Sequence, residues 1–139
     1  MPAAVVVDSG PLVALFDGDD QHHRHAVVWL QSFAGRLITT VAVVTEVAYL
    51  LDFNVRAQVD FIRWIGHGGA LLTDLSAPDL QRAAEIMIKY QDLPADFTDA
   101  SLVAICERLA IREVASIDHH FAVYRYRNRL RFRNVFPTA

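Results

Sequence analysis

Four short apolar runs, each trailed by enough chain for one or two helices, limit what this sequence can fold into. They fall at residues 5–7, 37–40, 70–73 and 114–117. A continuous apolar run without polar alternation suits a strand covered on both faces. The segments between the runs have the apolar spacing of helices. Pro11 fits the first turn of a helix through Leu15 and Phe16. After a turn at 17–20, residues 22–34 place Ala26, Val27, Leu30 and Phe33 on one side. The run from residue 41 is too long for one strand, and 45–51 favours helix. Residues 54–65 repeat the helical pattern. Pro78 opens a helix to Tyr90, with Leu80, Ala83, Ala84, Met87 and Ile88 predicted inward. Pro94 breaks the chain before a helix that Asp96 or Thr98 can cap. There Leu102, Val103, Ile105, Cys106 and Leu109 form a stripe broad enough to bury it. Residues 119–126 predict a short helix and 130–136 a last strand. The alternation predicts one three-layer α/β domain over residues 1–139, a mostly parallel central sheet flanked by helices.

Composition narrows the class. At 139 residues, 53% of them hydrophobic, the chain suits one domain with a real core and does not suit disorder. The longest later stretch without a charged side chain, 25–35, is far too short to cross a membrane. The single cysteine, Cys106, has no internal disulfide partner and reads as a small core residue. A soluble cytoplasmic protein is the expectation. A net charge of −3 argues against a general nucleic-acid coat, yet five arginines crowd between residues 125 and 133.

The acids are placed where acids are expensive. Asp8 ends the first apolar run and Asp118 follows the last. Glu46 lies inside the apolar run from residue 41, and Asp96 and Asp99 stand where a buried helix begins. A carboxylate among apolar neighbours is costly unless it is paired or binds a metal. In an open parallel sheet, residues just past the strand ends share one crevice, where ligands bind. Acids from two strand ends, one helix start and one apolar helix are expected to converge there. Repulsion among them is relieved by a hard divalent cation. Local capping is the other reading of Asp96 and Asp99, since a helix N-terminus favours negative charge by itself.

Four motifs carry a resemblance that covers essentially the whole chain. They are Val6-Val7-Asp8-Ser9-Gly10, Thr45-Glu46-Val47, Asp96-Phe97-Thr98-Asp99-Ala100-Ser101-Leu102-Val103-Ala104, and Ser116-Ile117-Asp118-His119-His120-Phe121. In this order the chain resembles a PIN-domain ribonuclease, the VapC-type toxin of bacterial toxin–antitoxin pairs. The resemblance implies Mg²⁺- or Mn²⁺-dependent cleavage of RNA by Asp8, Glu46, Asp99 and Asp118. It also implies a homodimer and a cognate antitoxin protein. Ser116 stands where the family often has Thr, and His120-Phe121 where many members have Asp-Phe. The pattern assigns Asp96 no role. Phosphodiester hydrolysis needs an attacking water, a charge sink and a stabilised leaving oxygen, all within reach of one or two carboxylate-held ions. Asp8 and Asp99 are the first choices as direct ligands. Asp118 and Glu46 would bind a second ion or deprotonate the water. Ser9 and Thr98 are placed to orient carboxylates from behind. Ligation by oxygen alone argues against zinc.

Several features have plainer readings. His22, His23 and His25 lack a cysteine partner and read as surface residues rather than a zinc site. His120 either touches the scissile phosphate or sits at the periphery. Arg129, Arg131 and Arg133 would share one face of a last strand, as an edge guarded by charge, an RNA phosphate contact, or an antitoxin or dimer contact. Trp29 and Trp64 read as packing anchors. The rival to a nuclease is a non-catalytic PIN-like module that binds RNA or protein. Four intact acids count against it.

Overall fold

β1 (Ala4–Val7) lies mid-sheet because it is apolar toward both faces: Val5, Val6 and Val7 are all buried. The computed structural model describes residues 3–136; the expected domain limits, 1–139, run past them at both ends. After β1 come α1 (Ser9–Phe16), α2 (His23–Ser32), β2 (Arg36–Thr39), α3 (Val41–Leu50) and α4 (Val55–Gly66). Then follow β3 (Leu71–Leu72), α5 (Ala77–Lys89), α6 (Phe97–Leu109) and β4 (Glu113–Ala115). The chain ends with α7 (His120–Val123), β5 (Arg125–Tyr126), β6 (Leu130–Arg131) and β7 (Arg133–Asn134). All four predicted apolar runs contain a strand, and the three-layer, mostly parallel architecture is the observed one.

The main sheet has the order β3-β2-β1-β4-β7, with every pair parallel. Strand order therefore runs outward from β1 in both directions, which opens a crevice beyond the carboxyl ends of β1 and β4. Val7 pairs with Ala115, so the two strands end level. The next residue stays in register, its amide (Asp8) donating to the Ala115 carbonyl at 2.9 Å. Gly10 lets α1 start close against the end of β4: a Cβ there would stand 3.1 Å from the Cβ of Ile117.

Local signals start the helices. Asn54 caps α4 and Thr40 caps α3. Ser76 and Asp79 form a reciprocal capping box on α5. α6 is buried from Asp99 to Cys106, as its broad apolar stripe predicts, and packs on α5 and α3. Among the described residues no helix is long and apolar enough to cross a membrane.

Three expectations are corrected. α5 turns Asp79, Ala83 and Ile86 inward, while Leu80, Met87 and Ile88 are exposed and Ala84 also faces out. Ion pairs set this rotation: Arg82 reaches Glu107 and Asp79 receives Arg108, both on α6. The predicted helix over 119–126 stops at Val123, and residues 125–126 form β5; the predicted last strand, 130–136, is two short strands in different sheets, β6 and β7. Arg127 and Asn128 take positive φ of 50° and 61°, which closes a tight hairpin between β5 and β6. The chain then re-enters the main sheet as β7.

Candidate active site

Buried polar side chains concentrate at the carboxyl ends of β1, β2 and β4. Asp8 and Ser9 follow β1, Thr39 and Thr40 close β2, Ser116 follows β4, and Asp99 and Ser101 come from the start of α6. Of the buried polar and charged residues described, Asp79 alone lies elsewhere. Groups removed from water need partners, and here they find one another. The Thr39 hydroxyl donates to the Val7 carbonyl at 3.0 Å, Ser101 to the Thr98 carbonyl at 2.7 Å, and Thr40 and Ser101 meet at 3.1 Å. The Ser9 hydroxyl is the exception, buried with no partner among the described residues.

Asp8 is 5% exposed. The Ser9 amide donates to its Oδ1 at 2.7 Å and the Ser116 hydroxyl to its Oδ2 at 3.0 Å. Burial, followed by the charge of Asp99, pushes the Asp8 carboxyl up to about 7; Asp118 adds to this, against the two hydrogen bonds. Ser116 is itself held. The Asn134 side chain accepts from the Ser116 amide at 3.2 Å and donates to its carbonyl at 2.9 Å.

Asp99 enters from the first turn of α6. Asp96 caps that helix, accepting the Asp99 amide at 2.8 Å. The Asp99 Oδ2 accepts the Tyr124 hydroxyl at 2.7 Å and the His120 Nδ1–H at 3.1 Å. Both contacts fall on one oxygen. Burial raises the Asp99 carboxyl above its usual range, against the Tyr124 hydrogen bond and with help from the charges of Asp96 and Asp118. Partial burial pulls the His120 imidazole down, but its hydrogen bond to Asp99 and the charges of Asp118, Asp99 and Asp96 outweigh it, so the net shift is upward.

Asp118 is exposed, with its Oδ1 accepting the His120 amide at 2.9 Å. Three of the four expected acids thus lie near one another: the charges of Asp99 and Asp118 act on Asp8, and that of Asp118 on Asp99. Glu46 does not join them by any hydrogen bond or ion pair among the described residues; it is half-buried in the second turn of α3. The Thr98 hydroxyl also has no protein partner there. Among the described residues no group of three or more His, Cys, Asp or Glu side chains is placed to hold a metal ion. Repulsion explains the spread: each aspartate turns to donors of its own, Asp8 to Ser9 and Ser116, Asp99 to Tyr124 and His120, Asp118 to its own loop.

The arginines separate by what holds them. Arg125 donates to the carbonyls of Ala122, Val123 and Tyr124. Arg127 donates to the Glu107 carbonyl, and Arg133 pairs with Glu113. Arg129 and Arg131 make no side-chain hydrogen bond or ion pair among the described residues. The His23 Nδ1–H donates to the Ala14 carbonyl, 2.7 Å away, and the Trp29 ring meets those of Phe33 and Phe136.

Sequence reasoning missed Tyr124 and Asn134 as supports of the site. An aromatic in a short amphipathic segment looks the same whether or not its hydroxyl meets an acid. Asn134 lay in what read as a plain strand. The gathered carboxylates and hydroxyls offer oxygen donors, the kind a hard cation takes, with the His120 imidazole and a buried unpartnered hydroxyl beside them.

Residues 5–125 match the family model of the PIN domain. The chain is 29% identical over 124 residues to Ribonuclease VapC26 of Mycobacterium tuberculosis (strain ATCC 25618 / H37Rv), spanning 87% of this chain and 92% of that protein. In fold it is similar to VapC20 of Mycobacterium tuberculosis, described as a sarcin-ricin loop cleaving toxin. The TM-score is 0.79 at 21% identity, over 86% of this chain and 93% of the other. It is also similar to VapBC2 from Rickettsia felis bound to a DNA fragment from their promoter. There the TM-score is 0.63 at 8% identity, covering 92% and 96%.

Proposed function

The chain belongs to the PIN-domain family, and from that premise we propose that it is a divalent-metal-dependent endoribonuclease, the toxin of a toxin–antitoxin pair. One observation carries the reading: two buried carboxylates, Asp8 and Asp99, sit with the exposed Asp118 at the β1/β4 switch point, and the charges of Asp99 and Asp118 raise the proton affinity of Asp8. A fold has no use for mutually repelling, buried carboxylates unless something positive comes between them. Asp8 and Asp99 would hold Mg²⁺ or Mn²⁺, with Asp118 and Glu46 at a second ion or at the attacking water. Bound there, the ion supplies charge for the phosphoryl oxygens and lowers the pKa of a water.

The chain's own residues do the rest. Ser116 and the Ser9 amide fix the Asp8 carboxylate, and Tyr124 and His120 hold one oxygen of Asp99 so that the other faces the site's ligand. The Ser9 hydroxyl is available to a water. In hydrolysis the water oxygen bonds to phosphorus, one bridging P–O bond breaks, and a carboxylate takes the water's proton. Of the three arginines expected as RNA contacts, Arg131 is the one proposed here: Arg133 already has Glu113 as a partner, and Arg129 lies in a separate cleft with Tyr126, Arg127 and Leu130.

RNA as substrate favours a cytoplasmic protein. The antitoxin is supported by the similarity to a VapBC protein, and a homodimer by exposed apolar side chains on α3, α4 and the turn between them. Tyr49 is 72% exposed and Val55 71%. The test is sequencing of RNA ends after brief expression, with and without Asp99→Asn. Defined new ends that need Asp99 support the nuclease. Binding of RNA without such ends returns the chain to a non-catalytic module.

A further inference from the structure

A cleft of about 370 Å³ opens beside Asp118, on the side of β7. Ile117, Phe121 and Phe132 give it an apolar floor, and Asp118, His119 and Arg131 give it a polar rim. Its contents are asymmetric: one wall is an acid of the candidate active site, and the opposite charge on the rim is Arg131. That guanidinium is the one in the 125–133 arginine series that both lines this cleft and lacks a protein partner among the described residues. Arg125, Arg127 and Arg133 are tied to the protein, and Arg129 lies instead in a separate cleft with Tyr126, Arg127 and Leu130.

We propose that this cleft seats the nucleotide next to the scissile phosphate, on one side only, with Arg131 on its flanking phosphate and the apolar floor under its sugar and base. The proposal rests on the nuclease reading and deepens it. The site is concave, mostly apolar and carries one placed cation, which is what a nucleotide with one phosphate requires. It adjoins Asp118, so a strand crossing the acids continues into it. The five-arginine series thus contributes one specific contact rather than a charged strip.

The test compares Arg131→Gln with Arg129→Gln, an identical change of charge at an exposed arginine outside the cleft. Short RNAs spanning the mapped cut site are shortened by one nucleotide from either flank. Arg131→Gln is expected to lower kcat/KM about tenfold on the full RNA, mainly through KM. Removing the nucleotide from one flank lowers it similarly in the wild type, and little further in Arg131→Gln. Arg129→Gln leaves both numbers near wild type. Binding of a random single-stranded RNA by Asp8→Asn is measured in parallel. Adding Arg131→Gln flattens its log–log salt slope by about 0.7, one phosphate on a single strand, and adding Arg129→Gln does not. Equal effects of the two variants, or additive losses on both flanks, overturn the cleft. If the wild type cleaves no RNA, the nuclease reading falls, and the salt slopes still decide the cleft.

Discussion

At neutral pH Asp8 is caught between two protonation states. Burial and the charge of Asp99 push its carboxyl up to about 7, whereas in the unfolded chain it titrates near 4. A pKa higher in the folded state means that protonation favours folding. The contribution is fully present below about pH 4 and is lost as pH rises through about 7, on the order of a few kcal/mol across that window. Melts in EDTA should therefore lose temperature between about pH 5 and pH 8 through this site. Asp8→Asn should flatten that loss, raise the metal-free Tm at the alkaline end and abolish cleavage. An unchanged slope in the variant would show that Asp8 is not the strained group. Tyr124 makes a second case. Its hydrogen bond lowers the Asp99 pKa, so Tyr124→Phe should leave Asp99 harder to ionise. Cleavage should fall roughly ten- to hundredfold, and more Mg²⁺ should be needed for half-maximal rate. A purely structural tyrosine would leave that Mg²⁺ requirement unmoved. The acids were legible in the sequence because charge is costly in an apolar run. Tyr124 was not, because nothing local distinguishes a buried tyrosine with an acid partner from one without.

Element boundaries followed local chemistry, and element faces did not. Asp96 was legible as a cap, and it caps α6 through the Asp99 amide. The cap has a second consequence, since it fixes the backbone of the residue proposed to hold the metal. Asp96→Asn should keep stability and the response to Mg²⁺, because Asn caps about as well as Asp. Asp96→Ala should lose about 1 kcal/mol and weaken that response as the first turn frays. If Asp96→Asn lost the metal response while remaining folded, Asp96 would be a ligand as well as a cap. α5 was read with the right ends and the wrong face. Its apolar residues nearly encircle it, so periodicity could not choose, and the ion pairs Arg82–Glu107 and Asp79–Arg108 settled the rotation. The end of the chain failed for a related reason. Helix was read through residue 126, but Arg127 and Asn128 adopt left-handed φ that folds 125–126 back on 130–131 as a hairpin, and Asn128 without a following glycine signals it only weakly.

For the whole molecule, four apolar runs in alternation with helices were enough to imply a parallel sheet, and parallel order puts Asp8 and Ser116 side by side. The approach of Asp8 to the end of β4 followed from topology, while the place of Glu46 depended on the rotation of α3, which no strand end determines. If Asp8 holds a metal as proposed, metal and proton compete: Asp8 would have to give up its proton to ligate, so binding should strengthen as pH rises through about 7. Mg²⁺ or Mn²⁺ at a hundredfold excess over Kd should stabilise the folded state by about 2.7 kcal/mol, roughly 10 °C in Tm for a domain of this size. The shift should be larger at about pH 8 than at about pH 6, because the proton is then already gone. Asp99→Asn should melt higher than the wild type in EDTA, having lost one repelling charge, and should gain little from either ion. A wild type whose Tm ignores both ions at both pH values, together with an Asp99→Asn that melts lower in EDTA, would mean that the carboxylates at the end of β1 and the start of α6 do not share a cation.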